Sequence, residues 1–194
     1  MTNFFLQLDQ DCLLLINGWH SPWLDFLMWV LSSKWINLPL AVCLVWLLKQ
    51  HFSWKKTGLL FFLTLVVVAS SDLISTHLFK DIFQRLRPSH EPLLQAKLYF
   101  HTLANSKPYL GGKYGFVSSH AANLFAVLAF LWTSIRVNRG VAAAFIIYAF
   151  LVIMSRVYLG VHYPSDVVAG ALLGLLIGWF LRKIIVSKIL VKWV

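Results

Sequence analysis

At 194 residues the chain has the length of one domain; 59% of it is apolar and only 12% is charged. Soluble domains carry about 25% charged residues, so this composition excludes a water-soluble globule and places the chain in a membrane. The net charge of +10 does not point to nucleic acid, because the cations sit in short loops between hydrophobic runs and not along one polar face. Cys12 and Cys43 lie in apolar surroundings at no metal or redox spacing and read as small hydrophobes. The opening MTNFFLQLDQD lacks the basic start of a signal peptide.

Residues 4–17 carry Phe5, Leu8, Cys12, Leu15 and Ile16 at helical spacing, broken by Asp9 and Asp11. Too short and polar to span, this stretch is predicted to be an amphipathic interfacial helix. After the turn at 17–22, a second apolar piece from Trp23 to Leu31 is expected to dip into the interface, so residues 1–34 form an N-terminal interfacial unit. A catalytic helical bundle follows over 35–181, with spans at about 35–48, 58–79, 119–134, 140–159 and 164–181. A polar loop covers 81–117, and residues 182–194 form a basic tail. The fold class expected is an all-α polytopic membrane bundle, one domain of five spans; six spans, with 12–31 crossing, is the alternative.

Loop charge orients these spans. Lys49, Lys55, Lys56, Arg136, Arg139, Arg182, Lys183, Lys188 and Lys192 all fall on one side, the cytoplasmic side by the positive-inside rule. Residues 80–117 and 156–166 fall on the other, extracytoplasmic side.

Three clusters of polar residues meet that outer face. Lys80 and Arg87 are seven apart in KDIFQRLRP and share a helix face if the helix continues to Pro88. In GFVSSHAAN, Ser118 fits an N-cap, leaving the Ser119 and His120 N–H groups at the positive end of a helix. In RVYLGVHYPSD, Arg156 is followed by His162 and Asp166, four apart, with Pro164 placed to open a helix. A carboxylate there can orient the imidazole and leave its other nitrogen free as nucleophile or base. Each cluster alone reads more readily as anchor, cap or structural pair. Together they supply three permanent cations, two imidazoles, one carboxylate and a helix N-terminus, the set a tetrahedral phosphate dianion needs.

These residues, K-x6-RP at 80–88, the SSH core at 118–120 and SR-x5-H-x3-D at 155–166, resemble the three motifs of the type-2 phosphatidic acid phosphatase family over about 57–181. The family usually has Pro-Ser-Gly-His where this chain has Val117-Ser118-Ser119-His120; the change removes no donor or proton carrier. The resemblance implies a lipid phosphatase in which His162 is the nucleophile, Asp166 fixes its tautomer and His120 is the acid and then the base. It further implies that Lys80, Arg87, Arg156, Ser118 and the Ser119 amide hold the phosphoryl oxygens. No metal or other cofactor is implied. The partners expected are the bilayer and a membrane-embedded lipid phosphate: undecaprenyl diphosphate, phosphatidylglycerol phosphate, phosphatidic acid or a lipid A phosphate. A non-catalytic lipid-phosphate binder or translocator is the rival reading, and it has no use for the His162–Asp166 pair.

Two further patterns stand out. Asp166, Gly170, Gly174 and Gly178 recur every four residues, so span five has a small face against which another helix, span four by this reading, packs closely. Asp72, Thr76 and Lys80 form a second stripe on span two; Asp72 is a functional suspect and equally a plain hydrogen-bond partner. His20, His51, His77, His90 and His101 have no catalytic partner in sequence.

Overall fold

The computed structural model describes residues 2–132 and 139–185. The apolar periodicity folds into helices throughout: α1 (Thr2–Asn17), α2 (Pro22–Ser32), α3 (Asn37–His51), α4 (Trp54–Leu73), α5 (Ser119–Leu131), α6 (Arg139–Tyr158) and α7 (Pro164–Ile185). α4 continues through a π-helical stretch, Ile74–Lys80, into a last turn at Asp81–Phe83. That rod, α6 and α7 have 30, 20 and 22 residues and are long and apolar enough to cross a membrane. The apolar helices α3 and α5 are shorter. Large apolar side chains such as Phe62, Leu65, Leu172, Leu176 and Trp179 point away from the protein on α4 and α7, as expected where lipid is the solvent. The chain is an all-α membrane helical bundle.

The breaks between helices follow local chemistry. Pro22 and Pro164 open α2 and α7, where the missing N–H costs nothing. Gly160 turns the chain between α6 and α7 at φ +69, a left-handed conformation suited to glycine. Residues 12–31, the alternative sixth span, are not one helix: α1 ends at Asn17 and α2 begins at Pro22. Thr133 and Ser134 of span three, the loop cation Arg136, and the tail from residue 186, with Lys188 and Lys192, lie outside the described residues.

The core contact is between α5 and α7, and it corrects the pairing expected for the glycine stripe. A Cβ built on Gly170 would lie 2.5 Å from the Ser118 carbonyl oxygen; on Gly174 it would lie 2.2 Å from that of Ala122, and on Gly178 2.1 Å from that of Ala126. The partner is therefore α5, span three, and not span four. Small residues on both sides, Ala122 and Ala126 against the glycines, allow backbone-to-backbone approach. This close approach places the start of α5 beside the start of α7, where two of the three motifs lie. α1 closes the same end, burying Leu13 against Leu98, Val157, Tyr163 and Val167.

Candidate active site

The N-terminal ends of α5 and α7, the C-terminal ends of α4 and α6, and the 84–118 connection converge at one end of the bundle. All eight residues singled out in the sequence lie there.

Lys80 ends the π-helical stretch, and its Nζ donates to Ser119 Oγ at 2.5 Å. Ser119 Oγ also meets Ser75 Oγ at 2.8 Å, so the lysine is tied across α4 and α5. The helix does not carry Lys80 and Arg87 on one face as the spacing predicts. It stops at Phe83, Gln84 is left-handed at φ 46, and Arg87 is extended. Pro88 disfavours helical geometry for Arg87, so the two cations reach the site from different directions.

Arg87 is instead set by a short antiparallel bridge between Leu86 and Tyr114. Its N–H donates to the Lys113 carbonyl at 3.0 Å and its Nε to the Tyr114 carbonyl at 3.1 Å. A Cβ on Gly111 would lie 2.6 Å from Arg87 Nη1, and one on Gly115 would lie 2.9 Å from Asp166 Oδ2. The two glycines thus make room for motif side chains. Burial, and next the neighbouring Arg156, push the Arg87 pKa down to about 10. Arg87 remains charged at neutral pH beside a second buried cation, Arg156, an arrangement that an anion would stabilise.

Arg156, 2% exposed, ends α6. Its guanidinium donates to Ser32 Oγ on α2 and, at 3.2 Å, to Tyr109 OH. Among the described residues its Nε is buried without a partner, as is Ser118 Oγ. Ser118 occupies the N-cap position as expected, but its hydroxyl makes no cap bond; its N–H donates to the Asp166 carbonyl at 3.0 Å instead. The N–H groups opening α5 have no helical acceptor, by helix geometry, and mark a positive helix end.

His162 and Asp166 are 1% and 0% exposed. His162 Nδ1 lies 3.4 Å from Asp166 Oδ2, a long contact of the kind that tightens around a bound substrate. Burial, followed by Arg87 and Arg156, holds the His162 pKa well below its ordinary value. The ring is therefore neutral. With its proton on Nδ1 facing Asp166, the Nε2 lone pair is free. His120 lies in the first turn of α5, within electrostatic reach of His162. Among the described residues no three His, Cys, Asp or Glu side chains form a metal-holding group.

Sequence reasoning passed over Arg85. Its Nη1 donates to Asp166 Oδ1 at 2.8 Å and its Nη2 to Asp9 Oδ2 at 2.6 Å. Only its place two residues before Arg87 hinted at this. Asp72 sits 3.5 Å from Asn123 Nδ2, two turns of helix below Lys80, and acts on Lys80 through its charge. His90 lies nearer: burial, Arg87 and Lys113 lower its pKa.

A family model described as the PAP2 superfamily matches residues 57–189. The chain belongs to that superfamily. Its relatives in the PAP2 superfamily include a lipid A 4'-phosphatase of Bacteroides thetaiotaomicron, 33% identical over 92% of this chain and 77% of that one. Another is a lipid A 4'-phosphatase of Porphyromonas gingivalis, 31% identical over 93% and 74%. Among solved structures, the fold resembles a transmembrane PAP2 type phosphatidylglycerolphosphate phosphatase from Bacillus subtilis, with TM-score 0.68 and 26% identity over 96% of this chain and 88% of that one. Family and relatives together make this chain a lipid phosphatase, a phosphoric ester hydrolase integral to the membrane.

Proposed function

We propose that this PAP2 phosphatase removes a phosphate from a lipid A-type headgroup at the extracytoplasmic face, through a phosphohistidine. One observation carries the reading: among the described residues Lys80, Arg85, Arg87 and Arg156 are countered at the site by Asp9 and Asp166, and by Asp72 from two turns below Lys80, so cations exceed carboxylates. A monoester phosphate carries about −1.5 to −2 near pH 7 and would offset that excess. Two relatives that cover over nine-tenths of this chain are lipid A 4'-phosphatases, which favours that substrate over the other lipid phosphates.

In this mechanism Lys80, Arg87, Arg156, the Ser118 hydroxyl and the Ser119 amide receive the phosphoryl oxygens. His162 Nε2 attacks phosphorus; the P–N bond forms as the P–O bond to the lipid breaks, and His120, entering the step as imidazolium, gives the leaving oxygen its proton and becomes neutral. His120 then takes a proton from water, whose oxygen attacks phosphorus and breaks the P–N bond, releasing phosphate and restoring both side chains. Asp166 holds the His162 tautomer and stabilises the positive charge that develops on the ring. An apolar cavity of about 210 Å³ lies between α3, α4, α5 and α6, lined by Leu44, Phe61, Leu124, Leu131 and Phe145 and by none of the site residues. It suits the hydrocarbon of a lipid. The cations at 49–56 and 182–183 lie at the opposite ends of the helices, which supports the outward orientation.

Phosphate release from vesicles containing lipid A, phosphatidylglycerol phosphate, phosphatidic acid or undecaprenyl diphosphate, with EDTA present, tests the reading. Release is expected to be fastest from lipid A and to vanish in His162→Ala, with 32P retained on the wild-type protein after acid-free quench. No release from any lipid, or an undiminished rate in the variant, overturns it.

A further inference from the structure

We propose that Asp9 and Arg85 are positioning residues for Asp166, and that α1 thereby ties its own seating at the membrane surface to the catalytic pair. The inference rests on the role given to Asp166 above.

The geometry is a closed set of charge-assisted bonds. Arg85 donates through Nη1 to Asp166 Oδ1 at 2.8 Å and through Nη2 to Asp9 Oδ2 at 2.6 Å. Ser165 bridges the same groups: its hydroxyl accepts from Arg85 Nη1 at 2.7 Å and donates to Asp9 Oδ2 at 2.5 Å. Its N–H donates to Asp9 Oδ1 at 2.9 Å. The Arg85 guanidinium lies 4.0 Å over the Tyr163 ring, which limits its rotation. Asp166 Oδ1 is thereby held by a planar fork while Oδ2 is left to the Tyr163 N–H and His162. A buried carboxylate with one oxygen fixed can present the other to the imidazole in only one orientation.

Asp9 comes from α1, 157 positions before Asp166, and no active-site motif includes it. On α1 it shares a face with Leu13 and Ile16, which pack into the core, and Asp9 itself is buried. Phe4, Leu8 and Leu15 lie on the opposite face and are exposed. At the outer end of a membrane bundle, an exposed apolar stripe of this kind is buried in the lipid interface. One face of α1 meets lipid and the other delivers the carboxylate that holds Arg85. Displacing α1 would withdraw Asp9 and release Arg85, and Asp166 would lose its aim.

The test uses the full chain in vesicles, with the lipid phosphate that gives the fastest release. Asp9→Asn is expected to lower kcat about tenfold and Arg85→Gln about a hundredfold, the scale of a misaligned catalytic group. KM and the inhibition constant for inorganic phosphate should not move, because Lys80, Arg87 and Arg156 are untouched. Asp9→Glu should recover most of the rate, and Asp9→Asn added to Arg85→Gln should cost less than it does alone. Thermal unfolding of each variant verifies that the bundle is intact. Wild-type kcat in Asp9→Asn overturns the proposal, as does a phosphate inhibition constant that rises in step with the loss. Full activity in Asp166→Asn would overturn the role of Asp166 itself; loss there with a normal Asp9→Asn overturns only the network.

Discussion

Gly174→Ala is the smallest change that probes how the two histidine-bearing elements are held together. The added Cβ would lie 2.2 Å from the Ala122 carbonyl oxygen, and ordinary contact begins at 3.4 Å, so 3.4 − 2.2 = 1.2 Å of separation is required. The obstacle is helix backbone, which cannot rotate aside as a side chain would. α5 must therefore move off α7 by about that distance, and Ala122 is two residues beyond His120 on the moving helix. Misplacement of about 1 Å in a catalytic group can cost roughly 10²-fold in rate, while overpacking costs about 1–3 kcal/mol of stability. Phosphate release from lipid A vesicles, paired with thermal unfolding in detergent, separates the two effects. Gly58→Ala is the control: nothing lies within 4 Å of its Cβ, and wild-type activity is expected. A folded Gly174→Ala protein with wild-type kcat would refute the argument that this contact sets the distance between His120 and the His162–Asp166 pair.

Two further outcomes follow from the site. His162 is kept neutral by burial and by Arg87 and Arg156, with its folded pKa well below the ordinary 6.5. The unfolded chain therefore binds the extra proton first; stability is full above about pH 6.5 and falls as pH drops from there toward the folded pKa. Its slope can reach about 1.4 kcal/mol per pH unit from this group, and unfolding curves of His162→Gln should show a shallower loss below pH 6.5; an identical slope refutes the assignment. Gly111 takes φ +67 with its Cβ position 2.6 Å from Arg87 Nη1, so Gly111→Ala both strains the turn and displaces the guanidinium. Loss of a charged hydrogen bond is worth about 1.5–3 kcal/mol, and the inhibition constant for inorganic phosphate should rise about tenfold or more; an unchanged constant would show that Arg87 does not hold phosphate.

The sequence by itself determined the solvent, the helical class and the three polar motifs that meet at one end of the bundle. Composition settles the first, because a chain with 12% charged residues cannot cover itself in water. Three motifs at helix ends settle the last, since ionisable groups beside hydrophobic spans need one another or a ligand. The glycine stripe was legible as a close contact, but its partner was not: periodicity shows which face is small, and only the tertiary arrangement chose α5 over α6. Helical spacing also misled at Arg87, where Gln84 turns left-handed and the bridge of Leu86 to Tyr114, not the helix, aims the side chain. Arg85 and Asp9 stayed invisible for a related reason. A charge near a helix end looks like a surface anchor until the fold brings a residue 76 positions away against it. Local chemistry repeats along a chain and can be read from it, whereas a salt bridge between distant segments exists only once packing has removed the water between them.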